Sequence, residues 1–227
     1  MRKAIIIYGP PGGGKGTQSE LLVKKCKLIN FDTGGYIESV VHDPRNNKSK
    51  TIQAERVLFD TGKLNSPTWV LKLVKENVGR IADAGFGVVL SGSPRTMYET
   101  FGDKKTEGLL GLLEKKYTRN NILIFELIIP DSNSVSRNGG RLICSLCRSS
   151  ILGKYYSDMK ICPFCGGKLF KRTLDKPAII KKRLEQYRQR TKPIFEELRK
   201  RKFKIIRIDG TPMPSKVFEK ISSYIKI

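Results

Sequence analysis

Residues 9–17 read GPPGGGKGT (Gly9 to Thr17), and this stretch decides the fold of the 227-residue chain. The run before it, Ala4–Tyr8 (AIIIY), is apolar and rich in β-branched residues, which predicts a buried strand. The segment after it, Gln18–Lys25, has a helix-compatible pattern. A Gly-rich turn between a strand and a helix lets backbone N–H groups converge on oxygen anions, while the helix start and a lysine add positive potential. The stretch therefore predicts a phosphate-binding loop.

The loop departs from the strict P-loop motif at one position. That motif is Gly-x4-Gly-Lys followed directly by Ser or Thr. Gly9, Gly14 and Lys15 satisfy it, but Gly16 takes the hydroxyl position and Thr17 comes one residue later. A Gly-rich loop that only turns the chain is the alternative interpretation. Strand, spacing, lysine and helix all agree with a nucleotide-phosphate site, which we therefore favour.

The composition is strongly basic. Lys and Arg number 44 against 21 Asp and Glu, a formal net charge of +23. This charge favours polyanionic ligands such as nucleotides, nucleic acid or acidic surfaces, although a Lys-, Ile- and Asn-rich composition alone would also produce it. No apolar stretch approaches the ~20 residues of a membrane span, and the start MRKAIIIYGPP is too short for a signal peptide. We therefore expect a cytoplasmic protein that does not enter a membrane.

Apolar, strand-like runs alternate with helix-length segments, which predicts an α/β fold with a mostly parallel sheet. In such sheets ligands bind beyond the carboxyl ends of the strands, so we expect the chemistry to follow them. The predicted strands are Ala4–Tyr8, Leu28–Phe31, Phe86–Leu90, Ile122–Ile129 and Phe203–Ile208.

Two helices are predicted near the carboxyl terminus. One spans about Lys176 to Lys200, with Asp175 as its cap, Pro177 in its first turn and a kink at Pro193. Its apolar stripe has helical spacing and comprises Ile180, Leu184, Tyr187, Ile194 and Leu198. The other is a short amphipathic helix over Pro214–Ile227, which we expect to pack on the sheet.

Four of the five cysteines form two matched pairs. They are Cys144, Cys147, Cys162 and Cys165, and fourteen residues separate the pairs. This C-x2-C-x14-C-x2-C spacing predicts a closed, tetrahedral structural Zn2+ site, with free or redox-active thiols as the alternatives. A zinc ribbon in a basic chain also raises nucleic-acid binding, for which Tyr155, Tyr156, Phe164 and Phe170 are the available stacking side chains.

The order of the motifs resembles the adenylate kinase family, in particular its long-lid, zinc-binding type. The matching stretches are GPPGGGKGT, Thr33-Gly34, Gly62-Lys63-Leu64, Gly92 with Pro94-Arg95-Thr96, Arg141-Leu142-Ile143-Cys144, Arg172 and Lys182-Arg183-Leu184. The resemblance implies a P-loop three-layer αβα core with a five-stranded parallel sheet (1–31, 67–139 and 173–227). It also implies a helical insertion that binds a nucleoside monophosphate (32–66) and a zinc-ribbon-like lid (140–172).

The resemblance further implies reversible, Mg2+-dependent transfer of the γ-phosphoryl group of ATP to a nucleoside monophosphate, with AMP as the favoured acceptor. It also implies a monomer that carries structural Zn2+. The residues that it places on ATP are Gly12, Gly13, Gly14, Lys15, Gly16, Thr17, Arg137 and Arg141. Those that it places on the acceptor are Thr33, Gly34, Glu38, Lys63, Leu64, Asn65, Gly92, Arg95, Glu99, Arg172 and Arg183. The catalytic set is Lys15, Arg95, Arg141, Arg172 and Arg183, because spreading negative charge on a transferring phosphoryl group needs cations around it. Solvated surface arginines are the alternative in so basic a chain.

The chain departs from the family pattern at four positions. Ser91 replaces an aspartate that orients water on Mg2+, and Glu38 replaces an arginine that grips the acceptor phosphate. Leu174 replaces the first of two lid-hinge carboxylates, which leaves Asp175, and Glu99 replaces a glutamine that meets the adenine edge.

Four hypotheses remain open from the sequence. The first is a working kinase in which phosphates and water bind the metal ion, with help from Asp32. The second is a kinase with a changed acceptor. A Glu99 carboxylate can accept from N1–H and N2–H of guanine, which favours GMP under the second hypothesis. The third hypothesis is a nucleotide-binding pseudoenzyme. The fourth, of another class, is a basic zinc-ribbon protein that binds RNA.

Overall fold

The computed structural model describes residues 2–152 and 158–225, with only the backbone of Leu152. Its centre is a five-stranded, fully parallel sheet. The strands of this sheet are β1 Ala4–Tyr8, β2 Ile29–Phe31, β3 Val88–Leu90, β4 Ile122–Ile128 and β8 Ile205–Asp209. Their order across the sheet is β2-β3-β1-β4-β8. The predicted parallel α/β fold is therefore confirmed. The predicted runs locate all five strands, but four of the five have different ends.

Helices cover both faces of the sheet, which accounts for the continuously apolar strands. They are α1 Lys15–Cys26, α2 Thr33–Val41, α3 Lys50–Asp60, α4 Pro67–Asp83, α5 Met97–Phe101, α6 Leu109–Tyr117, α7 Asp131–Gly139, α8 Pro177–Gln186, α9 Lys192–Lys200 and α10 Pro214–Ser222. One buried core lies between the sheet and α4, α6 and α9. A second lies between the opposite face and α1 and α10. The three-layer αβα arrangement is thus confirmed.

The phosphate loop lies at the carboxyl end of the central strand. β1 pairs with β3 on one side and β4 on the other, so the turns that follow these three strands meet at one edge. Helix α1 begins at Lys15 and therefore includes the lysine of the motif, three residues earlier than the sequence pattern indicates. The loop consequently faces the crevice where parallel sheets bind ligands.

The predicted helix over 176–200 is interrupted. A π-helical turn, Tyr187–Thr191, separates α8 from α9, and the Lys192 N–H donates to the Tyr187 carbonyl five residues earlier. Pro193 lies in the first turn of α9, where its missing N–H is tolerated. The regular α-helical hydrogen bonding is thus interrupted just before Pro193, where the sequence predicts a kink. Asp175 is not the helix cap, because α8 starts without a side-chain cap and the Asp175 carboxylate binds arginines instead.

Residues 32–66 and 140–172 contribute no strand to the five-stranded sheet in the described chain. The first range contains α2, a 3-10 turn (Pro44–Asn46) and α3, which pack on each other. The second forms a three-stranded antiparallel sheet, ordered β6-β5-β7, from β5 Arg141–Cys144, β6 Ser150–Leu152 and β7 Leu169–Phe170. No helix of the described chain combines the length and apolar composition that a membrane crossing requires. The last residues predicted for the terminal helix, 226–227, lie outside the described residues, as does Met1.

Candidate active site

The phosphate loop is shaped by glycines that no other residue can replace without strain. Gly12 has a φ of +73°, and a Cβ there would lie 2.6 Å from the Asn138 Nδ2 atom and 3.0 Å from the Ser134 carbonyl oxygen. Such distances are far inside van der Waals contact, so the loop and α7 can approach only at a glycine. Gly16, in contrast, has open space around its Cβ position. The absence of the motif's hydroxyl there is therefore not a packing requirement.

Helix α7 packs against the phosphate loop and hydrogen-bonds to it. The Ser134 hydroxyl donates to the Pro11 carbonyl at 2.5 Å, and the Asn138 amide donates to the Ser134 carbonyl at 2.7 Å. Both side chains are buried. No sequence motif marks these two residues, because Ser134 reaches the loop from 123 positions away and Asn138 acts through Ser134. A polar helix directly after a buried strand is the available signal.

Lys15 is held inside the loop by carbonyl groups. Its Nζ donates to the Gly9 oxygen at 2.8 Å and to the Pro10 oxygen at 2.9 Å. Burial lowers the pKa of Lys15 well below its ordinary value, and the charges of Arg95, Arg183 and Arg141 lower it further. A cation surrounded by other cations is unfavourable by itself and becomes favourable when an anion binds among them. The loop thus has the electrostatics of an anion site.

Two arginines share the buried carboxylate of Asp175. Arg141 donates to it in bidentate geometry, with Nη2 at 2.7 Å from Oδ1 and Nε at 3.0 Å from Oδ2, while Arg183 Nη1 lies 3.8 Å from Oδ1. Burial, together with the charges of Arg95, Arg141 and Arg172, lowers the pKa of Arg183 to about 9. Asp175 therefore orients two cations toward the same cavity without neutralising both.

Arg95 and Glu99 belong to a capping box at the start of α5. The Thr96 hydroxyl accepts from the Glu99 N–H at 3.1 Å, and Glu99 Oε2 accepts from the Arg95 N–H at 2.8 Å. The guanidinium of Arg95 donates through Nε to the Gly92 carbonyl at 2.6 Å, and the Arg95 carbonyl accepts from the Thr191 hydroxyl at 2.9 Å. Arg95 is thus fixed by its side chain and by its backbone. Thr191, in the π-helical turn, is a support that the sequence pattern did not indicate.

Burial raises the pKa of Glu99, although the hydrogen bonds from Arg95 and Thr96 and the charge of Arg95 oppose the shift. Its side chain lines the same cavity as Arg95.

The turns after β2 and β3 pack directly on each other. A Cβ at Gly92 would lie 3.2 Å from both the Gly34 nitrogen and the Thr33 Cβ. Asp32 Oδ1 accepts from the Gly34 N–H at 3.1 Å and caps α2. The hydroxyls of Thr33 and Ser93 are buried without a protein partner in the described chain, although both residues line the cavity. Such groups need a ligand or water to satisfy them.

The turn at 62–65 also borders the cavity, but its side chains differ in role. Lys63 and Leu64 line the cavity. The Asn65 amide donates at 2.8 Å to both the Glu55 carbonyl and Glu55 Oε2, which also accepts from the Ser66 N–H. Asn65 and Glu55 are both buried. Asn65 therefore fixes the turn through Glu55, a residue that the sequence did not single out.

Glu38 lies between two arginines. Its Oε2 accepts from Arg148 Nη2 at 2.6 Å and from Arg172 Nη2 at 3.2 Å. Arg148 directly follows the first cysteine pair, and the sequence did not mark it as a site residue.

Arg137 lines the cavity and is held by backbone carbonyl groups. Its two Nη atoms donate at 2.8 Å to the Gly210 and Thr211 carbonyls, in the turn between β8 and α10.

One cavity of about 1050 Å³ joins these groups. All nineteen residues to which the sequence analysis assigns substrate binding or catalysis line this cavity. The wall includes Gly12, Gly13, Gly14, Lys15, Gly16, Thr17, Thr33, Gly34, Glu38, Lys63, Leu64, Asn65, Gly92, Arg95, Glu99, Arg137, Arg141, Arg172 and Arg183.

The four paired cysteines converge in the small sheet. All four Sγ atoms lie within 4.8 Å of one another, with Cys144 and Cys165 at 3.4 Å and Cys147 and Cys162 at 3.7 Å. Zn–S bonds of about 2.3 Å in tetrahedral geometry place thiolates about 3.8 Å apart, so the cluster fits Zn2+. Gly167 is required beside it, because a Cβ there would lie 2.8 Å from Cys144 Sγ. Cys26 is buried elsewhere, as expected of a small hydrophobe.

The aromatic side chains of the small sheet bear on nucleic-acid binding. Phe164 and Phe170 are exposed, whereas Tyr155 and Tyr156 lie outside the described residues. Binding to nucleic acid stays a prediction.

A glycine phosphate loop beneath a cavity walled by arginines from several elements defines a P-loop protein that binds phosphorylated ligands. Comparisons with known proteins are specific about the family. A family model described as adenylate kinase matches residues 7–203. Proteins named adenylate kinase are similar along most of the chain. That of Clostridium tetani is 30% identical over 97% of both chains, and that of Treponema denticola is 32% identical over 93% of this chain and 94% of its own. That of Caldicellulosiruptor bescii is 31% identical over 85% of both chains. The chain therefore belongs to the adenylate kinase family.

Proposed function

We propose that the protein transfers the γ-phosphoryl group of ATP reversibly to AMP, forming two molecules of ADP. The observation that carries the proposal is the convergence of Lys15 with Arg95, Arg141, Arg172 and Arg183 on one cavity above the phosphate loop. Family membership supports the same reaction. In the transfer, the bond between the γ-phosphorus and the β–γ bridging oxygen breaks, and a bond to a phosphate oxygen of AMP forms.

The residues divide the work by position. The backbone N–H groups of residues 12–17 and the Lys15 ammonium hold the donor phosphates. Arg95, fixed by its bonds to Gly92 and Thr191, holds the acceptor phosphate. Arg141, Arg172 and Arg183 surround the transferring phosphoryl group, whose negative charge spreads over its equatorial oxygens. Positioning and charge therefore supply the catalysis, and no side chain needs to form a covalent bond.

Mg2+ would arrive bound to ATP and would offset the negative charge of its phosphates. Ser91 stands in place of a carboxylate, and Asp32 is the acidic group whose charge acts on Lys15. Thr17 supplies the hydroxyl at the end of the loop. Oxygen donors of this kind suit Mg2+, which keeps several of its waters. Asp32 and Thr17 would hold the metal's water shell, while Asp32 Oδ1 continues to cap α2.

Glu99 fits adenine when its carboxyl is neutral. A neutral carboxyl offers one O–H donor and one carbonyl acceptor, which match N1 and the N6 amino group of adenine. An ionised carboxylate offers only acceptors and matches N1–H and the N2 amino group of guanine. Family membership favours AMP as the acceptor, and the upward shift of the Glu99 pKa is in the direction of the neutral carboxyl that adenine requires. GMP is the alternative.

A coupled assay with ATP and each of AMP, GMP, CMP and UMP tests the proposal. We expect rapid ADP formation with AMP and rates at least about tenfold lower with the other acceptors, the discrimination that ~1.4 kcal/mol gives. A preference for GMP would overturn the acceptor assignment. Binding of a bisubstrate dinucleotide inhibitor with no turnover of any acceptor would show the pseudoenzyme.

We also propose that residues 140–172 form a lid held together by Zn2+, and that residues 32–66 form the acceptor insertion on a core of 1–31, 67–139 and 173–227. A small three-stranded sheet buries too little apolar surface to stand alone, so metal supplies its stability. Metal analysis should find one zinc per chain, and Cys147→Ser should lose it. Cys26→Ala is the matched control and should keep it. Iron in place of zinc, or a metal-free protein, would contradict the assignment.

A further inference from the structure

Glu38 joins three segments that are remote in the chain. It lies on α2, Arg148 lies between β5 and β6, and Arg172 follows β7. Both guanidinium groups donate to the same carboxylate oxygen, Oε2. The partners are 110 and 134 positions away from Glu38. One oxygen atom therefore links the acceptor insertion to the lid.

The other carboxylates of the insertion make no such link. Asp43 pairs with Arg45, and Asp60 pairs with His42 and Arg56, all within 32–66. Glu55 is occupied by Asn65 and Ser66. Within residues 2–152 and 158–225, the ion pairs between the insertion and the lid are those of Glu38.

The link also involves the cavity. Arg172 and Glu38 both line it, so the Glu38 carboxylate pairs with an arginine that faces the phosphate-binding cavity. The Glu38 and Arg172 side chains are only 26% and 20% exposed, whereas that of Arg148 is 50% exposed. The inner pair is thus shielded from solvent and the outer pair is open to it.

We propose that Glu38 is a displaceable internal counter-anion. In the absence of substrate it holds Arg172 and, through Arg148, clasps the insertion to the lid; an entering phosphate takes Arg172 from it. This inference rests on the proposed function for the identity of the phosphate. A phosphate dianion competes effectively because it carries more charge and accepts in bidentate geometry, whereas Arg172 reaches Glu38 through a single nitrogen.

The clasp has to be weak to be reversible. A partly exposed ion pair shifts an equilibrium by about two- to fivefold, which is enough to bias the lid without locking it.

The first test measures the lid directly, without nucleotide or catalysis. Fluorophores on noncanonical residues at the exposed positions Val57 and Phe164 report the distance between insertion and lid. Glu38→Gln and Arg148→Gln should each lower the closed fraction by about two- to fivefold, and the double variant should do no more than Glu38→Gln alone, which already removes both arginine partners. Arg45→Gln, the matched loss of an exposed insertion arginine, should leave the distance unchanged. Unchanged distances in both single variants, or additive effects in the double variant, would overturn the clasp.

The second test separates the two pairs by calorimetric binding of AMP alone. Glu38→Gln should tighten AMP binding about two- to fivefold, because Arg172 no longer has to leave a carboxylate. Arg148→Gln should leave AMP affinity unchanged, because Glu38 still holds Arg172. Weaker AMP binding by Glu38→Gln would show that Glu38 contacts the substrate or has only a structural role. It would contradict the proposal that Glu38 is a displaceable counter-anion. A protein that fails the turnover assay but passes the distance test would refute only the proposed function.

Discussion

The donor and acceptor sides of the cavity hold their cations by different means. On the donor side, Lys15 donates to the Gly9 and Pro10 carbonyls, and Arg137 donates to the Gly210 and Thr211 carbonyls. Toward the acceptor and lid, carboxylates are added: Arg172 donates to Glu38 and Arg141 to Asp175, although Arg95 still donates to the Gly92 carbonyl. Carbonyl dipoles orient a cation but leave its charge in place, whereas a carboxylate cancels it.

This difference teaches how one cavity can treat two anions differently. The donor side keeps its positive charge and attracts a polyphosphate before anything else moves. On the acceptor side Arg95 keeps its charge, but a monophosphate that binds Arg172 has to displace the Glu38 carboxylate. Affinity on the first side comes from unopposed charge, and selectivity on the second comes from exchange of partners.

Removing the donor-side charge should have the largest effect. Lys15→Met should lower turnover about 10²–10³-fold, the usual loss when one preorganised phosphate contact is removed. Lys24→Met, at an exposed lysine of the same helix, is the matched control and should retain activity. Activity within about threefold of the parent would contradict the carbonyl-held lysine as the donor contact.

The same variant should make the substrate-free protein more stable. The folded state lowers the pKa of Lys15, so its charged form costs free energy wherever the unfolded chain is protonated. That cost is present at pH 7 and fades as the pH rises toward the unfolded value of about 10.4. Thermal unfolding of Lys15→Met should therefore show a gain over the parent at pH 7 that shrinks near pH 10. A loss of stability at pH 7 would show that the bonds to the Gly9 and Pro10 carbonyls outweigh the charge.

The two sides also differ in how far the sequence predicts them. The loop, its strand and the cysteine pairs are local patterns whose spacing fixes their geometry, so their places in the fold follow from residue types. The Glu38 clasp joins residues 110 positions apart, and Ser134 reaches the loop from 123 positions away. No local spacing encodes such contacts.

Two features of the terminal helix also go beyond local spacing. Asp175 has the residue type and position of a helix cap, but Arg141 of β5 and Arg183 of α8 bind its carboxylate, and charged partners bind more strongly than backbone N–H groups. Pro193 predicts a kink, and a π-helical turn interrupts the helix just before it. The sequence thus marks where the helix changes but not the form of the change.

The smallest expected effect belongs to Glu99 on the acceptor side. Glu99→Gln keeps an acceptor for the Arg95 N–H and removes a buried group that can ionise. The Thr96 hydroxyl, which donates to Glu99 Oε1, would have to rotate to accept from the new amide. Because the folded state raises the pKa of Glu99, the native carboxyl contributes stability below its unfolded value of about 4.3, and that contribution is lost as the pH rises through the folded value.

Glu99→Gln should therefore raise the melting temperature by about 2–4 °C at pH 8, the shift that ~1 kcal/mol gives in a domain of this size, and by less at pH 5. Glu76→Gln, at an exposed glutamate of α4, should change neither value. The ratio of AMP to GMP turnover should fall with rising pH in the parent and stay constant in Glu99→Gln, because an amide always offers one donor and one acceptor. A parent ratio that does not change with pH would remove Glu99 from base recognition, and the acceptor side would then differ from the donor side only in how it holds phosphate.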